Sequence, residues 1–162
     1  MTAEFIPLLL LIIIANGAPV LVRIIFGNHL NTPVDLGFTL PDGHPVFGSS
    51  KTWRGIFAAL LMTSIAASLM NYPFVTGFLI ASYAVIGDLS SSFIKRRFSM
   101  APSSKAPILD QVPESLLPAF MMMRNFDLEL SSVLWVSFIF LIVDLVMTYI
   151  LYHWKILKKS SD

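Results

Sequence analysis

A short segment rich in acids, hydroxyl groups and cations, Gly87–Arg97, has the residue types needed for phosphate chemistry. It follows a long apolar run and reads GDLSSSFIKRR. In a helix, positions i, i+3, i+4 and i+7 share one face. In this segment those positions are Asp88, Ser91, Ser92 and Lys95. The stripe is compatible with a metal-bound phosphate. Composition alone favours the alternative, a helix end whose Lys and Arg side chains snorkel to the membrane surface.

The depth of Asp88 in this helix favours a functional role for its carboxylate. At about 1.5 Å per residue, it lies roughly 13 Å before the helix ends near Arg97. A carboxylate at that depth in a membrane is costly unless it faces a cation or water. Lys95 shares its face and is placed to meet a phosphate as a point charge. We expect Arg96 and Arg97 to contact lipid headgroups or other loops instead.

Two loops contain further residues of the same chemical type. The loop after this helix contains Lys105 and then Asp110 and Gln111. A second acid near hydroxyl groups suits Mg²⁺, which prefers oxygen ligands and usually keeps some water. The other loop, GSSKTWRG at 48–55, brings Lys51 and Arg54 to a helix N-terminus, where backbone N–H groups favour anions. An ordinary capped helix start with snorkelling cations fits that second segment equally well.

The composition requires elements that cross a membrane. Of the 162 residues, 56% are hydrophobic and 13% are charged, whereas soluble domains carry about 25% charged residues. The mean hydropathy is +0.75. The absence of cysteine excludes disulfides and thiolate metal sites, and the three histidines are too widely spaced for a zinc motif. We predict a single integral-membrane domain over residues 1–162.

Apolar runs long enough to be spans predict an all-α polytopic protein with about five transmembrane helices. The start of the chain is expected to be a retained helix because it has Glu4 and lacks a basic n-region. Its Asn16–Pro19 segment predicts either a tolerated kink or an opening where Asn16 faces a polar cavity. The predicted spans are Phe5–Phe26, Trp53–Tyr72, Pro73–Phe98, Val112–Met123 and Ser131–Trp154.

Charge placement predicts the orientation of these spans. The fourth span is weak, with Pro118 inside it. If it crosses, the loops bearing Lys51 and Lys105 and the lysine-rich C-terminus all lie on one side, as the positive-inside rule requires. We therefore predict the N-terminus outside and the C-terminus in the cytoplasm. Asp144 in the last span is interpreted as a structural polar contact.

Four blocks of the sequence together resemble the CDP-archaeol synthases, which are membrane cytidylyltransferases related to the phosphatidate cytidylyltransferases. The resemblance covers nearly the whole chain, in matching order and spacing. It implies a multi-pass enzyme of the cell membrane with its active site facing the cytoplasm. The blocks are ANGAPVL (15–21), PDGHPVFGSSKTWRG (41–55), GDLSSSFIKRR (87–97) and APSSKAPILDQ (101–111).

The resemblance also implies a reaction and roles for individual residues. CTP and an isoprenoid-ether glycerol phosphate would give a CDP-lipid and pyrophosphate, with Mg²⁺ as cofactor. Asp88 and Asp110 are implied as metal ligands and, with Lys95, as catalytic residues. The implied substrate-binding residues are Asn16, Lys51, Arg54, Ser91, Ser92, Lys105 and Gln111.

Some assignments stay open at the level of sequence. The pattern of the phosphatidate cytidylyltransferases has Lys-Asp at the positions of Ala101-Pro102. The archaeal pattern has a further acid after the Asp-Gln pair, and whether Glu114 takes the place of that acid is left open. The predicted partners are CTP, a lipid phosphate and the bilayer, with no nucleic acid and with a homodimer left open. The alternatives are an acyl phosphatidate as acceptor, a CDP-alcohol phosphotransferase, whose spaced aspartates are absent, and a non-catalytic small transporter or lipid-binding scaffold.

Overall fold

The computed structural model describes residues 4–101 and 107–153, and this part of the chain is helical apart from its connecting loops and turns. Beyond two isolated β-bridges in the first loop, it contains no strand among these residues. The predicted all-α class is therefore confirmed. The helices are α1 (Phe5–Phe26), α2 (Trp53–Leu69), α3 (Phe74–Arg97), α4 (Pro107–Met121) and α5 (Leu130–His153).

The largest difference from the predicted boundaries is at the start of α4. The helix begins at Pro107 instead of Val112, so Asp110 lies in its first turn and not in the preceding loop. Proline is well tolerated in the first turn because the N–H it lacks would have no intrahelical partner there. An acidic side chain in the first turn is stabilised by the positive end of the helix dipole. The two factors together extend the helix toward its N-terminus.

In the part of the chain that the structure describes, three helices are long and apolar enough to cross a membrane: Phe5–Phe26, Phe74–Arg97 and Leu130–Leu151. The other two are shorter, with 17 residues in α2 and 15 in α4. At 1.5 Å per residue, α4 is only about 22 Å long, compared with about 30 Å for the hydrocarbon core of a bilayer. The structure therefore supports a polytopic membrane protein, and the full crossing of α2 and α4 stays a prediction.

The bundle is divided into an apolar end and a polar end. At the apolar end, Leu8, Leu11 and Ile12 of α1 pack into a core with side chains from the four other helices. Farther along α1, Ala15 belongs to a small cluster of alanines. Beyond it the polar side chains begin. The buried hydrophobic residues of the large core are Phe5, Leu8, Leu11, Ile12, Ala67, Ile80, Ala119, Met122, Phe126, Leu128, Val133, Val136 and Phe140.

The helices alternate in direction between these two ends. α1, α3 and α5 start at the apolar end, whereas α2 and α4 start at the polar end, as shown by which of their residues enter the core. Each helix packs against the next in sequence, and α1 also contacts α3, α4 and α5. This alternation brings the C-terminal part of α3 beside the first turns of α2 and α4.

A hydrogen bond ties the start of α1 to the turn between α2 and α3 at the apolar end. The Tyr72 hydroxyl donates to the Glu4 carboxylate, and the Tyr72 ring packs on Phe126. Burial, followed by the hydrogen bond and the negative charge of Glu4, raises the pKa of Tyr72 to about 12. This link lies far from the polar end, so we assign it to stability.

Two glycines let α3 approach its neighbours closely. A Cβ atom at Gly77 would lie 2.4 Å from the Thr63 carbonyl oxygen of α2, and one at Gly87 would lie 2.2 Å from the Pro113 carbonyl oxygen of α4. Real Cβ atoms do not come this near to backbone. The spacing between α3 and α4 therefore requires glycine at position 87, one residue before Asp88.

Candidate active site

A cavity of about 480 Å³ occupies the polar end of the bundle. All five helices and the loop between α1 and α2 contribute to its walls. It is lined by Ala15, Asn16, Pro19, Val20, Arg23, Asn31, Ser49, Ser50, Lys51, Thr52, Arg54, Gly55, Ile56, Val85, Asp88, Leu89, Lys95, Asp110, Glu114, Asp144, Leu145 and Thr148. Such a mixture of cations, acids and hydroxyls, next to membrane helices, suits a ligand that carries phosphate.

Two lysine–aspartate ion pairs cross this cavity. Lys51, from the end of the loop, pairs with Asp88 of α3. Lys95 of α3 pairs with Asp110 of α4, with 2.6 Å between Lys95 Nζ and Asp110 Oδ1. The structure therefore brings together four residues that the sequence analysis proposed for the site. Each lysine has three donors, so it can hold a carboxylate and still offer hydrogen bonds to a phosphate.

The first ion pair keeps the Lys51 side chain charged. Burial opposes ionisation of this amine, but the attraction of Asp88, and then of Glu114, outweighs burial and raises the pKa of Lys51. Asp110 adds to the same attraction. Lys51 therefore remains a cation at neutral pH and can serve as a counter-charge for a bound anion.

Two further acids line the cavity. The Glu114 carboxyl group of α4 forms a hydrogen bond with the Asp88 carboxyl group, and Asp144 of α5 is close enough to Glu114 to repel it electrostatically. Asp144 was interpreted from sequence as a structural polar contact, and the structure adds that it lies on the cavity wall. Asp144 has no local motif, so only its unusual presence in an apolar helix could have signalled it.

The loop that carries Lys51 is organised around the Asp35 carboxylate. Asp35 Oδ2 accepts hydrogen bonds from the backbone N–H groups of Phe47 (2.9 Å) and Gly48 (2.8 Å), and Oδ1 accepts from Gly37 (3.1 Å). Partial burial raises the pKa of Asp35, but these backbone hydrogen bonds outweigh it and lower the pKa overall. Gly48 has φ of +91°, which favours glycine, and it comes three residues before Lys51.

We expect the change Asp35→Asn to lower the rate of any reaction at this cavity by up to about 100-fold, because a displacement of about 1 Å at Lys51 is enough for such a loss. Steady-state kinetics would measure it, with Glu129→Gln at the opposite end as the control. Because folding lowers the pKa of Asp35, its ionised carboxylate stabilises the folded protein at pH values above the usual aspartate pKa. This stabilisation is lost as the pH falls through the folded-state pKa. An unchanged rate for Asp35→Asn would contradict this positioning role.

Arg54 also lines the cavity, but it is held by backbone oxygens. Its guanidinium donates to the carbonyl groups of Gly27 (2.9 Å) and His29, and to the Asn31 side chain (3.2 Å). These hydrogen bonds hold the C-terminal end of α1 against α2. The substrate contact proposed for Arg54 stays a prediction. Thr52 is the N-cap of α2, since its hydroxyl accepts from Gly55 N–H at 3.3 Å.

Ser91 and Ser92 are placed differently from Asp88 and Lys95. Both are buried and do not border the cavity, and the Ser91 hydroxyl donates to the Asp88 carbonyl oxygen at 2.9 Å. A substrate contact from either serine is not supported by these positions. Asn16 does line the cavity, as proposed, and its amide donates to the Ile12 carbonyl oxygen at 3.0 Å.

Two proposed substrate-binding residues cannot be placed. Lys105 lies outside the described residues, and so does the side chain of Gln111, although the Gln111 backbone belongs to α4. Their roles stay predictions.

The two arginines that follow Lys95 have separate contacts. Arg97 pairs with Asp42, donates to the Pro45 carbonyl oxygen at 2.6 Å, and packs over the Phe93 ring, so it contacts the first loop as expected. Arg96 is only 2% exposed and donates to the Ala101 carbonyl oxygen at 2.9 Å. Arg96 is therefore buried in the protein. Of the two contacts expected from sequence, it makes the one to a loop and not the one to lipid headgroups.

The acids of the cavity are the candidate ligands for a divalent cation. Among the described residues, no group of three or more His, Cys, Asp or Glu side chains is arranged to hold a metal by itself. Mg²⁺ usually takes only one or two carboxylates from a protein, and water and substrate phosphates complete its coordination. The donor set fits that mode because Asp88 and Glu114 present adjacent carboxyl groups, with Asp110 on the same cavity wall.

Comparison with known proteins points to one family. The family model described as CarS-like: CDP-archaeol synthase matches residues 3–159. A CDP-archaeol synthase of Pyrococcus furiosus is 40% identical over 107 residues, which are 60% of this chain and 60% of that protein. One of Hyperthermus butylicus is 38% identical over 104 residues, covering 60% of this chain and 59% of that protein. The chain thus aligns with about three fifths of the length of these two relatives.

Longer alignments support the same family over most of the chain. A CDP-archaeol synthase of Sulfolobus acidocaldarius is 29% identical over 151 residues, covering 89% of this chain and 88% of that protein. A solved structure, described as an intramembrane enzyme for archaeal membrane lipids biosynthesis, superposes with a TM-score of 0.74 at 28% identity. The superposition covers 88% of this chain and 90% of the chain in that solved structure. From the match over residues 3–159, the chain belongs to the CarS-like CDP-archaeol synthase family.

Proposed function

We propose that the protein is a CTP-dependent cytidylyltransferase that joins CTP to a membrane lipid phosphate of the 2,3-di-O-geranylgeranylglyceryl phosphate type. The products are a CDP-lipid and pyrophosphate, and the cofactor is Mg²⁺. The observation that carries the proposal is the cavity itself. It contains two lysine–aspartate pairs and opens at the end of helices that are apolar enough to span a membrane.

The chemical problem in this reaction is to bring two anions together. The acceptor phosphate and the triphosphate of CTP repel each other, so the cavity must neutralise both. Lys51, from the loop before α2, and Lys95, from α3, supply fixed positive charge. Pre-organised charges of this kind lower the barrier because they need no rearrangement during the reaction.

Bond formation needs no nucleophile from the protein. A phosphate oxygen of the lipid forms a bond with the α-phosphorus of CTP, while the bond from that phosphorus to the oxygen bridging the β-phosphate breaks. Pyrophosphate leaves with the electron pair. The residues of the cavity contribute mainly by holding the two substrates in line. Mg²⁺ would be held by one or two of the carboxylates of Asp88, Glu114 and Asp110, and when bound it supplies Lewis-acid stabilisation of phosphoryl oxygens.

The orientation of the site follows from charge. Lys51, Lys95, Arg96 and Arg97 all lie at the polar end of the bundle, and the positive-inside rule assigns that end to the cytoplasm. CTP is highly charged and does not cross a bilayer unaided. We therefore propose that the protein is a multi-pass protein of the cell membrane with its cavity open to the cytoplasm.

The test is a reaction with purified protein in detergent, labelled CTP, Mg²⁺ and a panel of lipid phosphates. We expect a CDP-lipid with the isoprenoid-ether glycerol phosphate and a lower kcat/KM with an acyl phosphatidate. The reverse preference would change the acceptor but keep the reaction class. If no acceptor in the panel yields a CDP-lipid or pyrophosphate, the enzymatic proposal fails, and a lipid-binding role becomes the better explanation of the cavity.

A further inference from the structure

Arg23 differs from the other cations of the cavity in its surroundings. Lys51 and Lys95 are paired with aspartates, and Arg54 is held by backbone carbonyl groups. Across residues 4–101 and 107–153, the Arg23 guanidinium has no hydrogen bond or ion pair, although it lines the cavity. A guanidinium offers five donors in a planar fork that matches phosphate oxygens. This side chain is therefore ready to bind an anion.

The position of Arg23 along α1 places it at the outer rim of the cavity. Asn16, Pro19, Val20 and Arg23 line the cavity from one face of the helix, at spacings of three, four and seven residues. Arg23 is about 10 Å beyond Asn16 along the helix axis. It is also in the last turn of a helix that is long enough to span the membrane. Arg23 is thus at the level expected for lipid headgroups.

The cavity wall formed by α5 reaches the outer surface of the bundle. On α5, Leu145 and Thr148 line the cavity, and Leu145 is also 43% exposed. Leu145 belongs to the candidate span Leu130–Leu151, so its exposed side faces lipid chains when the helix crosses a membrane. A residue that borders both the cavity and the lipid is where a lateral mouth between α1 and α5 would open.

We propose that Arg23 binds the phosphate of the acceptor lipid, which enters sideways through this α1–α5 mouth. The apolar Val20 and Leu145 side chains contact the first part of the lipid chain, and the Thr148 hydroxyl offers a second hydrogen-bond donor to the phosphate. This inference rests on the proposed function and specifies one subsite within it. CTP also carries phosphate, and in this assignment its contacts come from the loop residues Ser49 and Ser50 and from the two lysine–aspartate pairs.

The decisive experiment separates the two phosphate sources. For Arg23→Gln, we expect the KM for the lipid phosphate to rise about tenfold or more, while the KM for CTP changes less than about twofold. Arg23→Lys should recover part of the loss because it keeps the charge but not the fork. Arg124→Gln is the matched control, because Arg124 is exposed at the opposite end of the bundle. Thermal unfolding checks that each variant is folded.

A binding measurement without CTP gives a readout that does not depend on turnover. A dialkylglycerol phosphate in detergent micelles should bind the wild-type protein about tenfold more tightly than Arg23→Gln, and the uncharged dialkylglycerol should not distinguish the two. A rise in the KM for CTP alone would place Arg23 in the nucleotide subsite and overturn the proposal. Equal lipid binding by both proteins would also overturn it.

The lateral mouth is tested separately with Thr148→Trp, which adds bulk between α1 and α5. We expect turnover of a long-chain lipid phosphate to fall about tenfold or more relative to a short-chain, water-soluble analogue. Equal losses for both substrates would exclude this entry path. If the wild-type protein is inactive with every lipid phosphate, the proposed function fails. If the wild type is active and Arg23→Gln is unchanged, only this inference fails.

Discussion

Replacing Asp88 or Asp110 with asparagine is expected to reduce CTP-dependent turnover by about 100- to 1,000-fold, the scale seen when one pre-organised electrostatic partner is removed from an active site. Asparagine keeps the size of the side chain but removes its charge. Each substitution deletes one lysine–aspartate pair and one proposed metal ligand. The rate of CDP-lipid or pyrophosphate formation at saturating substrate and Mg²⁺ measures the effect.

The controls for this prediction address folding and metal binding. Glu129→Gln, at the other end of the bundle, should leave the rate unchanged. Size-exclusion elution and thermal unfolding should show that the Asp88→Asn and Asp110→Asn proteins remain folded. For a ligand role, raising the Mg²⁺ concentration should restore part of the activity. Near-normal rates in both variants at low Mg²⁺ would show that the assigned metal ligands are wrong.

The substitution Gly87→Ala is expected to lower the free energy of unfolding by about 1 to 3 kcal/mol, as overpacking of close-packed interiors does. Its Cβ atom would lie 2.2 Å from the Pro113 carbonyl oxygen and 3.0 Å from the Glu114 backbone nitrogen. These are backbone atoms of α4, so the two helices must separate to admit a methyl group. Denaturation of the detergent-solubilised protein, followed by circular dichroism, measures the change.

The same substitution should impair turnover even where the protein is fully folded. Gly87 is next to Asp88, and its contact on α4 is next to Glu114, so any separation of the helices pulls these two carboxyl groups apart. Gly17→Ala is the matched control, because a Cβ there meets nothing within 4 Å. In a helix interior, that change should be neutral or stabilise by about 0.5 to 1 kcal/mol. Equal behaviour of the two variants would show that the α3–α4 contact does not position the acids.

The long apolar helices and the polar stripe could be predicted from sequence because they depend on local rules. An apolar run of 22 residues is stable across a bilayer as a helix, because a helix satisfies all of its backbone hydrogen bonds internally. The bounds of α1, Phe5–Phe26, therefore follow from the sequence and agree with the structure. The cost of an acid in a membrane helix, together with the serines and Lys95 on the same helix face, singled out Asp88. Asp88 and Lys95 both line the cavity, as their shared helix face indicated.

The roles of the other stripe residues required the tertiary structure. Periodicity shows which side chains share a face, but not whether that face meets a cavity or another helix. Ser91 and Ser92 share the face of Asp88 and Lys95, yet both are packed away from the cavity. Arg54 was proposed for substrate and is occupied by carbonyl groups of the preceding loop, because that loop folds back onto α2.

The site as a whole is a product of long-range packing. Lys51 and Asp88 are separated by 37 residues, and no local pattern predicts that they pair. Arg23, Glu114 and Asp144 were missed or left open because each is a single charged residue in an apolar segment, and their convergence depends on how α1, α4 and α5 pack. By itself, the sequence determined the class of chemistry and the membrane setting. Only the packing of the helices decided which charges meet, because contacts between distant segments are set by close approach, as at Gly87, and not by periodicity.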